Sequence, residues 1–205
     1  MRWTETNEAA ERIARRLRSY DFTGKVADLP ARPVTADLRR AAVLMPLVWH
    51  EDGPTVLFTR RTEHLSSHPG QVSFPGGKVE AGDASPVDTA LRETREEIGL
   101  DASCVRVLGH LPEYAILTGY VVTPVVGLLT PPLALAPAED EVAEIFEAPL
   151  SLLLDKSVYQ GHDYVRDGVA GRYLSLPWGR HTIWGATAAM LWMLADALAG
   201  DQGLS

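Results

Sequence analysis

QVSFPGGKVEAGDASPVDTALRETREEIGL, Gln71 to Leu100, is the stretch that decides the fold, and the rest of the chain reads as its support. QVSF has strand character, and the sequence predicts a sharp turn at Pro75-Gly76-Gly77. A polar loop around Gly82-Asp83-Ala84-Ser85 leads into a helix that stops at Gly99. Pro86 suits a first helical turn, where its missing N–H has no partner anyway, and Asp83 or Ser85 is placed to cap it. Inside this helix Glu93, Glu96 and Glu97 stand at i, i+3 and i+4, on one side of a turn. Carboxylates gathered so closely repel one another unless a counter-ion sits among them. A hard divalent cation takes carboxylate oxygens and keeps positions for water and phosphate. The alternative is a solvated acidic face relieved by Arg92 and Arg95.

The surrounding spacing decides between the two. Gly77, five residues, Asp83, and then Arg92-Glu93-Thr94-Arg95-Glu96-Glu97-Ile98-Gly99-Leu100 closely resembles the Nudix box, G-x5-E-x7-R-E-U-x-E-E-x-G-U, with U a bulky apolar residue. Asp83 stands where the box has Glu, eight residues instead of seven separate it from Arg92, and Thr94 fills an apolar position. The extra residue falls in the loop-to-helix region, away from the helical carboxylates. Upstream, LFTRRT (57–62), His64-Leu65, HPGQV (68–72) and FPGG (74–77) resemble the signature that precedes the box in coenzyme A pyrophosphatases. That branch usually carries an Arg where this chain has Ser66. GYVVTPVVG, DEVAEIFEAPL and IWGATA are similar to segments of the same branch, so the likeness runs from about Ala41 to Ala195.

The resemblance implies an α/β/α sandwich, with a mixed, partly antiparallel sheet between helices. Residues 1–205 would form one domain, with an N-terminal helix and connecting segment over 1–40 and the box over 71–100. It also implies a short helix opening at Pro149-Leu150. The implied activity is Mg²⁺- or Mn²⁺-dependent hydrolysis of the diphosphate of coenzyme A or acyl-coenzyme A, giving 3′,5′-ADP and (acyl-)4′-phosphopantetheine. Glu93, Glu96 and Glu97 would hold the metal. Glu96, Glu97 and Arg92 make up the catalytic set within the box, Arg92 orienting a carboxylate. A loop carboxylate outside the box often acts as base or extra ligand in this family; Glu139, Asp140 and Glu141 are placed for that, Glu141 and Glu139 foremost. Gly76 and Gly77 let the backbone bend and approach a phosphate closely. Arg60, Arg61, His68 and Arg40 are the candidate substrate contacts. A hard, oxygen-rich site gives no metal role to His64 or His68. Ser66 keeps other nucleoside diphosphate derivatives open as substrates: ADP-ribose, a dinucleotide or a nucleotide sugar. A non-catalytic nucleotide sensor is the reading from another class, although such a module could dispense with box carboxylates that this chain retains.

Composition sets the outer bounds. A chain of 205 residues, 46% hydrophobic, is long enough to bury a sizeable core as one domain. The single cysteine, Cys104, excludes an internal disulfide framework, fits a reducing cytoplasm and reads as buried filler. A formal net charge of -8 argues against general nucleic-acid binding, which relies on Lys and Arg. The N-terminus lacks an apolar run of signal-peptide length. It reads as an amphipathic helix from about Thr4 to Ser19, with Ala9, Ala10, Ile13 and Leu17 on the packed side and Arg12, Arg15 and Arg16 opposite.

The remaining segments follow from turn signals and periodicity. Asp21 to Asp37 connects, and Ala41–Trp49 and Thr55–Arg60 form a hairpin, with Pro46 implying a bulge or an edge position. Val105–Leu111 and Gly119–Leu129 read as strands, the second bulged at Pro124 and Gly127; the alternation after Glu141 supports a strand weakly. Val158–Val165 and Gly171–Leu176 form a terminal hairpin turning at Asp167-Gly168. Thr182–Ala199 reads as a buried helix too short to span a membrane, and a monomer or a homodimer through this helix is expected.

Overall fold

Side-chain alternation along one strand settles the layering. In the computed structural model, which describes residues 3–22, 37–65, 68–116, 118–166 and 168–199, Arg39–His50 is that strand. Ala42, Leu44 and Val48 point to one face, Met45, Leu47 and Trp49 to the other, and all six are buried. A strand apolar on both sides needs cover on both.

In chain order the elements are α1 (Trp3–Ser19), β1 (Arg39–His50), β2 (Gly53–Arg61), β3 (Val72–Ser73), β4 (Gly76–Lys78), α2 (Pro86–Ile98), β5 (Val105–His110), β6 (Tyr114–Ile116) and β7 (Tyr120–Leu129). They continue as β8 (Val142–Pro149), α3 (Leu150–Leu154), β9 (Gln160–Arg166), β10 (Val169–Trp178), β11 (His181–Trp184) and α4 (Gly185–Leu198). Strands β1 to β8 make one mixed sheet, in which β1 and β7 are parallel and the other pairs antiparallel. Ala90 and Ile98 of α2 cover one face, against Leu44, Val48, Leu57 and Leu129. Ile13 of α1 and Leu191 and Leu194 of α4 cover the other, against Met45, Leu47 and Phe58. Each such Leu or Ile withdrawn from water contributes roughly 1.5–3 kcal/mol. The α/β/α sandwich with a mixed sheet is therefore the observed architecture.

Two prolines lie inside central strands, and the sheet accommodates each at a change of partner. On one side β1 pairs with β4 as far as Val43↔Gly76 and with β2 from Leu47↔Val56 onward. Leu44 N–H, directed to that side, donates to the Pro75 carbonyl at 2.8 Å. Pro46 has the same parity, so its missing donor falls in the gap between partners. It marks neither an edge nor a bulge, as the sequence had suggested. Pro124 repeats the solution: β7 pairs with β6 up to Val122 and with β5 from Val125. The bulge expected in β7 belongs to its partner β5, between Val107 and Gly109. Gly127 serves close packing instead, since a Cβ there would meet Val105 and Leu44 side chains.

Further differences have local causes. Pro75-Gly76-Gly77 does not close a tight turn; the chain bends at Pro75, and Gly76–Lys78 enters the sheet beside β1. Residues 160–184 form a separate three-stranded sheet, β9-β10-β11, where only a hairpin was expected. Thr182, Ile183 and Trp184 are strand, and α4 starts only at Gly185, whose φ of 63° breaks the run. Cys104 is exposed rather than buried, on a short 3-10 turn before β5. Of the described helices, none is long and apolar enough to cross a membrane. Most of the connecting segment lies outside the described residues, as do Ser66 and Asp167.

The entry to α2 is held by side chains. Ser85 Oγ accepts from Asp88 N–H at 3.3 Å, Pro86 opens the helix, and Gly99 at φ 71° closes it, its N–H donating to the Arg95 carbonyl. Asp83, with a side chain only 5% exposed, accepts from Glu80 N–H at 2.9 Å, Thr89 Oγ1 at 2.8 Å and Arg92 Nε at 3.0 Å. The eight-residue spacing thus still lets Asp83 reach Arg92. Thr94, at an apolar position of the box, is fully buried and satisfied by donating to the Ala90 carbonyl at 2.6 Å.

The Arg92 hydrogen bond holds the Asp83 carboxyl well below its ordinary value of 3.8. A depressed carboxyl stabilises the fold above its unfolded pKa, and that contribution is lost as pH falls through the folded value. Asp83→Asn should lower the melting temperature at pH 7. The gap between variant and native protein should close progressively below about pH 3.8 in calorimetric scans.

Candidate functional site

The site is built where β4 runs beneath the second half of α2. Gly76, at φ 154°, and Gly77 pair with Val43 and Ala42 of β1. A Cβ on Gly76 would strike the Ala42 carbonyl and lie 2.5 Å from Val43 Cα, so only glycine fits. A Cβ on Gly77 would lie 2.5 Å from the Glu93 carboxylate. The glycines therefore clear space for that carboxylate directly against backbone.

Helical geometry separates the three carboxylates more than their spacing suggested. Glu97 points inward and is 6% exposed; Glu93 is half-buried beside it. The Glu96 side chain is 59% exposed and lies at the rim. Its direction differs by about 100° from that of Glu97 and about 60° from that of Glu93 on an ideal helix. Arg92 links the group: one guanidinium nitrogen, Nη1, donates to Glu93 at 3.0 Å and Glu96 at 3.1 Å, and Nη2 donates to the Lys78 carbonyl and Asp83. The Asp83 hydrogen bond, against the effect of burial, raises the Arg92 pKa further, so its charge is permanent. Asp83 is thus a member of the site that sequence reasoning left out. Its position in the box pattern was the available signal.

Glu97 has little to offset its burial. Gly76 N–H donates to its Oε2 at a long 3.4 Å, and the Arg61 charge faces it. Burial pushes its carboxyl up to about 8, with Arg61 and Gly76 opposing and the charges of Glu93 and Glu141 adding to the rise. Burial likewise raises Glu93, against the pull of Arg92. Arg61 reaches this face from the end of β2, and its Nε is buried without a hydrogen-bond partner.

A β-bulge brings the loop carboxylate in. Register along β2–β8 shifts between Arg60, opposite Glu144, and Arg61, opposite Val142. Thr62 N–H then donates to the Glu141 carbonyl at 3.0 Å, and Thr62 Oγ1 to the Asp140 carbonyl at 3.1 Å. This pins the loop so that the Glu141 charge acts on both Glu93 and Glu97. Glu139 lies exposed in the same loop.

The other candidate contacts are dispersed. Arg60 lies across the sheet, paired with Glu63 and Glu144. Arg40 is tied to Glu113 at 2.6 Å. His68, at φ 55°, is exposed in the β2–β3 loop.

The donor chemistry fits a hard divalent cation. Two carboxylates meet against glycine backbone, and one of them is buried with a single long hydrogen bond. Among the described residues, no three His, Cys, Asp or Glu groups are already closed into a cage. Glu93 and Glu97, faced by Glu141, are the groups able to hold such an ion.

Residues 38–167 match the family model described as the NUDIX domain. An Enterobacter sp. (strain 638) protein named "Uncharacterized Nudix hydrolase NudL" is 46% identical over 158 residues, covering 77% of this chain and 81% of that protein. A protein of the same name from Yersinia pestis (strain Pestoides F) is 43% identical over 162 residues, 79% of this chain and 81% of its own. A C. elegans Ap4A hydrolase binary complex superposes at a TM-score of 0.47 with 18% identity, over 54% of this chain and 80% of that one.

The glycine pair separates stability from activity. Gly76→Ala must displace β1 backbone at positive φ, and should destabilise the fold by roughly 1–3 kcal/mol. Gly77→Ala meets only a movable carboxylate; it should melt near the native temperature yet lose about tenfold or more in kcat/KM through displaced Glu93. Thermal melts and turnover on the same preparations check both outcomes.

Proposed function

This chain belongs to the Nudix hydrolase family, and from that membership we propose that it cleaves the diphosphate of coenzyme A or acyl-coenzyme A with Mg²⁺ or Mn²⁺. The products would be 3′,5′-ADP and the (acyl-)4′-phosphopantetheine. Glu97 carries the reading. A merely solvated acidic face would leave this carboxylate in water, whereas it is buried against glycine backbone with Glu93 and Glu141 turned toward it.

A diphosphate resists attack because its oxygens repel an incoming nucleophile, and a carboxylate-bound dication supplies the offsetting charge and acidifies bound water. The chain's own groups have distinct roles in this reading. Glu93 and Glu97 hold the ion, with Glu96 at the rim. Arg92, clamped by Asp83, fixes the direction of Glu93 and Glu96. Glu141 is the base that takes a proton from the attacking water, with Glu139 as the other candidate; reach decides before pKa does. Arg61 meets phosphate charge beside Glu97, and the Gly76-Gly77 backbone permits close approach. Arg60, His68 and Arg40 contact outlying parts of the substrate. The likeness of residues 57–77 to the coenzyme A pyrophosphatase signature is what supports this substrate over ADP-ribose, a dinucleotide or a nucleotide sugar.

A panel of these compounds, with Mg²⁺ or Mn²⁺ and products followed by chromatography, tests the reading. Coenzyme A or an acyl derivative should be cleaved fastest, and chelation should abolish turnover. Glu97→Gln should lower kcat by about a hundredfold or more, some 2.7 kcal/mol, while Arg95→Ala should stay within about twofold. Faster cleavage of another panel member would move the substrate assignment. Tight binding with no turnover of any member would favour a nucleotide sensor.

A further inference from the structure

A second charged cluster lies on the far face of the sheet from α2, at the same end. Arg60 and Arg61 are neighbours on β2, so their side chains leave opposite faces. Arg61 faces Glu97, whereas Arg60 turns to the layer that contains β10 and β11. There Glu144 gathers three basic side chains. Its Oε1 accepts from Arg180 Nη2 at 2.5 Å and lies 3.4 Å from His181 Nε2; its Oε2 lies 3.5 Å from Arg60 Nε. Arg180 comes from the β10–β11 turn and His181 opens β11, both beyond the last residue matched by the family model.

The cluster is backed by a ring stack and only partly satisfied. The His181 ring stacks on Phe146 at 3.9 Å and 10°, Phe146 on Phe58 at 5.4 Å, and Phe58 on Phe74 at 5.2 Å. Phe74 stands two residues before Gly76, so this ring stack ties the cluster to the glycine strand of the candidate active site. Burial works to raise the Glu144 carboxyl, but Arg180, His181 and Arg60 together hold it below its ordinary value, so it stays anionic and keeps both guanidinium groups aimed. Arg60 spends one more nitrogen on Glu63, a pair at the exposed surface. Arg60 Nη2 and Arg180 Nε and Nη1 have no acceptor among the described residues. Arg60 is matched by Glu63 and Glu144, whereas Arg180 leans, among the described residues, on Glu144 alone, so the guanidinium nitrogens without acceptors stay directed to an incoming anion.

We propose that Arg60, Arg180 and His181, buttressed by Glu144, form an anion subsite for a phosphomonoester that the substrate carries away from the bond being cleaved. Guanidinium forks match phosphate oxygens in pairs, and a phosphomonoester dianion is the group that repays two such forks. This deepens the coenzyme A reading and rests on it: the group is the 3′-phosphate on the ribose, absent from ADP-ribose and from nucleotide sugars. The β10–β11 turn is then a specificity element added to the family core.

Steady-state kinetics with coenzyme A and dephospho-coenzyme A test it. The native enzyme should show a KM about tenfold lower for coenzyme A at similar kcat. Arg180→Ala should raise that KM to the dephospho value, leave kcat and dephospho-coenzyme A kinetics unchanged, and keep the native melting temperature. Arg180→Lys should restore part of the difference. Equal KM values for the two substrates in the native enzyme, or an equal loss on both in Arg180→Ala, would overturn the subsite. If neither compound is cleaved, the substrate reading falls, and calorimetric binding of 3′,5′-ADP against 5′-AMP decides separately. Tighter binding of 3′,5′-ADP that Arg180→Ala abolishes supports the subsite; equal affinities in the native protein refute it.

Discussion

A carboxylate taken out of water must find compensating charge or give up its own. Glu97 imposes that condition on everything around it. Its supports are one long hydrogen bond from Gly76 and the facing charge of Arg61, while Glu93 and Glu141 make matters worse. Two further carboxylates beside a buried one would be a poor arrangement for stability alone. It becomes a coherent one when a dication is part of the folded protein, which is the premise of the proposed chemistry.

The sheet makes this arrangement possible by changing partners rather than by bending. Pro46 removes a donor where β1 passes from β4 to β2, so the ladder opens without leaving a buried N–H unpaired. Through that opening the Pro75 carbonyl reaches Leu44, and Gly76 and Gly77 come under α2. The bulge between β2 and β8 acts at the other side of the site. It advances the 138–141 loop by one residue against Thr62 and so turns Glu141 toward the two glutamates. A proline and a bulge, both usually read as interruptions, here position chemistry.

What was legible in the sequence was local. The caps of α2, the carboxylate spacing and the hairpin of β1 and β2 depend on residues a few positions apart, and their patterns are nearly unambiguous. The tight turn expected at Pro75-Gly76-Gly77 is a strand from Gly76 instead, because glycine marks a turn and a close approach with the same letter; the close approach is what the packing of Glu93 on Gly77 shows. The start of α4 was misplaced because Thr182–Trp184 continues the apolar run of the helix, and periodicity cannot divide strand from helix in a short, wholly apolar stretch. Glu96 was grouped with its neighbours because spacing gives adjacency but not depth; how far α2 is rolled toward β1 decides which side chains meet water. The Glu144 cluster was not visible at all, since its members come from residues 60, 144, 180 and 181 and meet only through the pairing of β2 with β8 and the docking of the β10–β11 turn.

The pairing of Arg60 with Arg61 shows how one strand can serve two faces. Successive side chains on a strand point to opposite sides, so two adjacent arginines are divided between layers without any extra structure. The division is only as secure as the register, because a slip by one residue would exchange them and turn the whole apolar set of β2 outward. Leu57 and Phe58 forbid that slip: each is fully buried, Leu57 under α2 and Phe58 against α4 and the ring stack. The same core that stabilises the sandwich therefore assigns Arg61 to the buried carboxylate and Arg60 to Glu144. Substrate discrimination at the second site, as proposed, would thus be specified by hydrophobic packing several residues away from either charge.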